Sequence, residues 1–254
     1  MSEEPAADGS VDEASRLRSI RSYVVRAARM TPGQRRALEQ LWPRFGIDAV
    51  PAVLDLDAIF GRAAPRTLEI GFGNGEHLVM LASAHPERDF IGVEVHPPGV
   101  GHLLQLTVNS GLGNLRVIRH DAVAVLEQQI GTGALDEILV LFPDPWPKKR
   151  HHKRRLVEPR FAGLAASRLV PGGVLRLATD WTPYAQQMLE VLGAEPLLVN
   201  EAGAGNFMTR DAARQPTRFE RRGERLGHEV HDLAFRRVVA PTGFNAGCAA
   251  ASRG

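Results

Sequence analysis

The feature that most constrains this chain is a regular alternation of short apolar runs and helix-length segments. From residue 66 the runs TLEI (67–70), FIGVEV (90–95), LRVIRH (115–120), EILVLF (137–142) and VLRLAT (174–179) follow one another with room for a helix between them. Each run is too apolar to keep one face in water. Strands buried on both faces belong to a largely parallel sheet covered by helices on either side. The pattern therefore predicts an α/β fold with a mostly parallel, doubly wound sheet. Residues 194–200 and 230–239 add two strands, making seven. Residues 16–60 are mixed, with a loop and then a short helix expected after Thr31-Pro32.

At 254 residues the chain suits one such domain with short extensions. Residues 1–18 are expected to be a disordered acidic extension and 241–254 a flexible tail, leaving 19–240 as the folded domain. No apolar run approaches the roughly 20 residues needed to cross a bilayer. The start, MSEEPAADGSVDEAS, lacks the basic and apolar parts of a secretion signal, so the expected location is cytoplasmic. Cys248 is the sole cysteine, which excludes an intrachain disulfide and a multi-cysteine zinc site. No metal is expected, and the sequence leaves monomer and homodimer open. The net charge of +2 hides an uneven distribution. Glu3, Glu4, Asp8, Asp12 and Glu13 crowd the N-terminus, whereas residues 148–155 hold six Lys/Arg and two His. Local fields steer polyanions, so the basic cluster matters more than the sum.

In doubly wound sheets ligands bind outside the carboxyl ends of the strands. Those ends carry Glu69 with Gly71, then Glu94, Asp121, Asp144 and Asp180. Any one of these acids could simply cap a helix; five on one rim point to a site. After the first of these strands runs Glu69-Ile70-Gly71-Phe72-Gly73-Asn74-Gly75-Glu76, a glycine-rich turn that lets backbone approach a ligand closely. The dinucleotide pattern G-x-G-x-x-G fits poorly, because the third glycine falls one position early. Glu94, about 20 residues on, stands where an acid accepts hydrogen bonds from ribose hydroxyls. Asp121 is placed to accept from an adenine amino group, or to cap the helix that follows.

The fourth strand runs into Phe142-Pro143-Asp144-Pro145-Trp146-Pro147 and then the basic run. Three prolines in five residues forbid a helix and stiffen the loop. A basic run is often no more than a solvated face. Directly after a rigid acid-and-aromatic loop, it suits a cradle for a phosphate backbone.

These segments closely resemble the bacterial tRNA (guanine-N7-)-methyltransferases. The matching stretches are RSYVVRAARMTPGQ, LEIGFGNGE, FIGVEVH, LFPDPWPKKRHHKRR, LATDWTPYAQQML and RQPTRFERRGERLGHEVHDL, which cover most of residues 20–237 in the family's order. The resemblance implies the class I S-adenosylmethionine methyltransferase sheet, S-adenosylmethionine as cofactor and tRNA as partner. The implied substrate is the variable-loop guanine at position 46. It also implies site residues. Glu69, Gly71, Gly73, Gly75, Glu94, Asp121 and Asp144 would line the cofactor site, and Asp144 would be catalytic. Lys148, Asp180, Thr217, Arg218, Phe219 and Glu220 would contact substrate, and Arg150, His151, His152, Lys153, Arg154 and Arg155 the RNA. Arg218 stands where lysine is more usual, and His231 where an aromatic is frequent. Amino-group methyltransferases are the nearest alternative, but their loop reads N/D-P-P-aromatic, whereas this one reads P-D-P-W. A catalytically inactive tRNA-binding module of the same fold is the other.

The chemistry agrees. Nitrogen-7 of guanine has a lone pair and no proton, so its methylation requires alignment and stabilisation of developing positive charge rather than an obligatory base. Carboxylates suit both tasks.

Overall fold

The computed structural model describes residues 29–209 and 229–239. The elements follow in the order α1 (Pro32–Phe45), β1 (Gly46–Ile47), α2 (Leu56–Phe60), β2 (Arg66–Ile70), α3 (Glu76–Ala84), β3 (Asp89–Val93), α4 (Pro97–Asn109), β4 (Leu115–Ile118), α5 (Ala122–Gln128) and β5 (Leu135–Leu141). A 3-10 turn (Lys149–Arg154) then precedes α6 (Pro159–Arg168), β6 (Leu169–Thr179), α7 (Thr182–Gly193), β7 (Leu198–Asn200) and β8 (His231–Arg237). The strands form one sheet in the order β1-β4-β3-β2-β5-β6-β8-β7. All pairings are parallel except those of β8, which runs antiparallel to β6 and β7.

The seven strands expected from the sequence are present, and an eighth, the two-residue β1, extends the edge beside β4. Two residues carry no periodicity, so sequence gives no sign of it. The helix after Thr31 is longer than expected, at 14 residues. Its start is a complete capping box: Thr31 Oγ1 accepts from Gln34 N at 3.2 Å and Gln34 Oε1 accepts from Thr31 N at 2.8 Å.

Side chains alternate across the strands and fill two cores. On one face Leu68, Ile91, Ile138 and Leu175 pack with Phe161, Tyr184 and Met188 from α6 and α7. On the other, Phe90, Leu115 and Val117 pack with Leu78 and Leu103 from α3 and α4, and with Ala37 of α1. Each large side chain so buried contributes about 1.5–3 kcal/mol. Chain order reverses between β2, which leads on to β3, and β5, which leads on to β6. That switch point places the crevice at the carboxyl ends of β2 and β5. No described helix is long and apolar enough to cross a membrane.

Candidate active site

On one side of the crevice lies the glycine loop between β2 and α3. Gly71, Gly73 and Gly75 all have positive φ, at 71°, 61° and 80°. Gly75 shows why glycine is required: a Cβ there would meet Leu103 at 2.5 Å. A Cβ on Gly99 would stand 2.0 Å from the Gly73 carbonyl, so α4 too lies against the loop. Gly71 faces open space, with nothing within 4 Å of where a Cβ would stand. Three hydrogen bonds tie the loop to β3, to the residue that follows it and to α4. Gly71 N donates to Val93 O at 2.8 Å, Gly73 N donates to Glu94 Oε2 at 3.1 Å, and His102 Nδ1 donates to the Asn74 carbonyl at 2.8 Å.

Glu94 directly follows β3. Its other oxygen, Oε1, accepts from Val95 N at 2.7 Å and His96 N at 3.0 Å. A carboxylate has about four acceptor positions, so this rigidly held one keeps capacity for a ligand hydroxyl. Asp121 caps α5, accepting from Ala124 N at 2.9 Å, and thus does what a helix cap does while standing on the rim. Glu69 is more enclosed than the other rim acids. It lies inside β2, only 3% exposed, with Oε2 3.1 Å from His77 Nδ1 in the first turn of α3. β2 ends at Ile70, as the run 67–70 predicts.

Across the crevice β5 opens into the proline-rich loop. Phe142 still donates to Ala178 O at 2.8 Å, continuing the ladder with β6. Phe142 and Trp146 are the described non-glycine residues with positive φ, at 52° and 45°. Both directly precede a proline, and both carry a Cβ that this region disfavours. Such strain costs about 1–3 kcal/mol per residue and persists only where the surroundings impose it, typically at functional sites. Asp144, between these two residues, is exposed.

The basic run folds back as the 3-10 turn. Lys148, Lys149, Arg150 and Lys153 are exposed, and His152 is half-buried. The Arg154 guanidinium lies over the Trp146 ring, 5.0 Å from its centre, and His151 meets the same ring edge-on at 5.8 Å. Desolvation holds the His151 imidazolium below its ordinary pKa, with Arg150, Arg154 and Lys148 adding in the same direction. Arg155 requires a correction. The sequence groups it with the RNA-facing cations, but it is 4% exposed and points inward, where its Nε donates to the Pro145 carbonyl at 2.8 Å. Its neighbours Tyr184 and Gln187 were not singled out in the sequence, since nothing local marks them.

Asp180 follows Thr179, the last residue of β6. The register pairs Leu141 with Ala178, so the ends of β5 and β6 are level and the Asp144 loop and Asp180 emerge from adjacent strands. Trp181 is 36% exposed and precedes α7. His231 is buried, with Nε2 3.0 Å from Thr182 Oγ1 and its ring tilted at 40° against Phe207, the centroids 4.6 Å apart. It thus both packs against an aromatic ring and hydrogen-bonds the first residue of α7. Thr217, Arg218, Phe219 and Glu220 lie outside the described residues, as do 1–18 and 241–254. The chain on either side of 210–228 is pinned by the bridge between Met208 and Asp232, with Met208 N donating to Asp232 O at 2.9 Å. Because His231 pairs with Thr179, that bridge stands close to Asp180. Among the described residues no group of His, Cys, Asp and Glu is arranged to hold a metal ion.

Comparison with known proteins agrees with this geometry. A family model described as "Putative methyltransferase" matches residues 63–233. The 16S rRNA methyltransferase KamB shares the fold, with a TM-score of 0.54 at 15% identity over 77% of this chain and 99% of that one. Fold and crevice together define a class I methyltransferase. Closer relatives give the particular family. A tRNA (guanine-N(7)-)-methyltransferase of Leifsonia xyli is 60% identical over 85% of this chain and 95% of its own length. That of Methylococcus capsulatus is 60% identical over 87% and 95%. That of Pseudomonas aeruginosa is 54% identical over 94% and 100%. The chain belongs to the tRNA (guanine-N7-)-methyltransferase family.

Proposed function

We propose that this protein transfers a methyl group from S-adenosylmethionine to nitrogen-7 of guanine in tRNA, at variable-loop position 46, in the cytoplasm. The observation that carries the reading is the pairing of two unlike structures across one crevice: a backbone cradle on β2 and β3, and a strained acid-and-aromatic loop on β5 beside Asp180. The relatives' shared name supports the same reaction.

The residues present fit the cofactor. Gly71 leaves open space where any other residue would project a Cβ. The Glu94 carboxylate, fixed by three backbone N–H groups, is set to accept from ribose hydroxyls. Gly73 and Gly75 shape the turn, and Asp121 takes the adenine side with the acceptor capacity its capping bond leaves. Glu69 steadies the first turn of α3 through His77. S-adenosylmethionine, when bound, supplies an electrophilic sulfonium methyl.

The remaining tasks fall to this chain's own residues. Asp144 accepts hydrogen bonds from the ring N–H and amino group of guanine and favours the purine as it turns cationic. Asp180, one strand away, orients the base or its anchor, with Lys148, Thr217, Arg218, Phe219 and Glu220 as further substrate contacts. Trp146 and Trp181 offer aromatic faces near an unstacked base. Lys149, Arg150, His151, His152, Lys153 and Arg154 receive the RNA backbone. Incubation with unmodified tRNA and labelled S-adenosylmethionine, followed by nucleoside analysis, tests the reaction. Label in 7-methylguanosine, with aniline-sensitive cleavage at position 46, is expected. Label in a methylated amino group would overturn the reading.

A further inference from the structure

We propose that Arg155 is a positioning residue for the transfer, which braces the Asp144 loop from inside the protein and ties it to the helix that starts beside Asp180. The proposal rests on the reading that Asp144 serves the reaction. Its starting point is a discrepancy within one run of six cations. Four of them are exposed and Arg154 is half-buried, but Arg155 is 4% exposed. A guanidinium is costly to remove from water, and it stays charged at any physiological pH. Its partners therefore show what the burial achieves.

Nε donates at 2.8 Å to the carbonyl of Pro145, the residue between Asp144 and Trp146. That carbonyl belongs to the peptide plane leading into Trp146, and the φ of 45° at Trp146 measures rotation directly beside that plane. Holding the carbonyl therefore holds the unfavourable rotation. A charged donor makes a hydrogen bond roughly twice as strong as a neutral one. The three prolines of the loop have no N–H to donate.

The other end of the guanidinium is gripped by α7. Nη1 donates to Gln187 Oε1, and the planar group lies over the Tyr184 ring at 4.8 Å. Tyr184 and Gln187 are three residues apart and so share a helix face. Both also hold the chain just past Arg155. Val157 N donates to the Tyr184 hydroxyl at 3.1 Å, and Gln187 Nε2 donates to Val157 O at 3.3 Å. Burial pushes the Tyr184 phenol up to about 12, and the Asp144 carboxylate acts in the same direction, so Asp144 lies within electrostatic reach of the brace. Helix α7 begins at Thr182, two residues after Asp180. One helix thus starts beside one carboxylate and anchors the loop of the other.

The test compares Arg155→Met, Arg155→Lys and Gln187→Met with the parent protein, alone and combined with Asp144→Asn. Protein labelled with fluorotryptophan carries three tryptophan resonances, of which Trp146 is assigned by Trp146→Phe. The brace requires the Trp146 resonance to shift or broaden in Arg155→Met and Gln187→Met while that of Trp42 stays put. It requires kcat at saturating substrate to fall roughly ten- to a hundredfold in Arg155→Met, as misplacement of about an ångström does. Arg155→Lys should recover part of the loss, and in the Asp144→Asn background the Arg155 effect should shrink to about twofold or less. Affinity for tRNA and its salt dependence should be unchanged. An unmoved Trp146 resonance together with a shallower salt slope would make Arg155 a phosphate contact and overturn the proposal. So would an undiminished loss of kcat in the Asp144→Asn background. Should Arg155→Met fail to fold, Gln187→Met carries the same comparison. If Asp144→Asn alone turns over like the parent, the role of Asp144 falls, while the Trp146 resonance still decides whether Arg155 holds the loop.

Discussion

The two walls of the crevice are built by different means. The wall proposed to hold the cofactor is made of backbone: three glycines at positive φ, with a carboxylate collecting N–H groups from residues adjacent in chain or strand. The wall proposed to receive the substrate is made of side chains acting at a distance. Its loop contains two strained non-glycine residues and is held by a guanidinium that reaches α7, 32 residues away in sequence. The difference teaches where rigidity comes from. A turn that glycine can adopt freely needs only close packing to fix it. A turn that its residues resist must be held from outside.

The comparison can be broken first at the packed glycines. Gly75→Ala places a Cβ 2.5 Å from Leu103 at a φ of 80°. Left-handed strain and overpacking together should cost about 2–4 kcal/mol of folding stability. Gly71→Ala meets open space and should cost only the backbone part, about 1–2 kcal/mol, while impairing cofactor binding. Chemical denaturation of both variants checks this, and equal losses would deny that the loop is fixed by packing. The next largest effect concerns Glu94. Glu94→Ala should weaken S-adenosylmethionine binding by about 1.5–3 kcal/mol and leave tRNA affinity largely intact. Because Glu94 also holds Gly73, Glu94→Gln, which keeps an acceptor, should lose less; calorimetry that finds Glu94→Ala equal to the parent would remove the ribose assignment. On the opposite wall the effect is more diffuse. Replacing Lys149, Arg150, Lys153 and Arg154 with Ala should weaken binding to all tRNAs alike. It should also flatten the plot of log affinity against log salt by roughly 0.7–0.9 per lost phosphate contact. An unchanged slope would mean the run is only a solvated face.

Sequence legibility follows the same division. The sheet was readable because β2 to β6 are too apolar for any other arrangement. The glycine loop was readable because glycine adopts such dihedrals without strain, and the place of Glu94 at the end of β3 because its spacing from that loop is set by one helix and one strand. His102 was not, since its bond to Asn74 spans 28 residues and a helical histidine carries no local mark. The burial of Glu69 was not readable, because a buried acid paired with His77 looks the same in sequence as an open one at a strand end. Arg155 was misread for a related reason. In a row of like cations, composition cannot say which one turns inward; that is decided by Gln187 and Tyr184 on a distant helix.

The most direct test of the central claim, that this crevice aligns guanine and stabilises its developing charge without a base, is the single-turnover rate on unmodified tRNA across pH 6–9. It should be measured for the parent protein and Asp144→Asn at saturating cofactor. Asparagine keeps the size and one acceptor but removes the charge. The expected result is a loss of about 2–4 kcal/mol in transition-state stabilisation, roughly 30- to 1000-fold, at nearly constant tRNA affinity. Both profiles should be flat, since nitrogen-7 has no proton to remove. A mutant as fast as the parent would contradict the role of Asp144, and a steep acid limb in the parent near neutrality would show base catalysis instead.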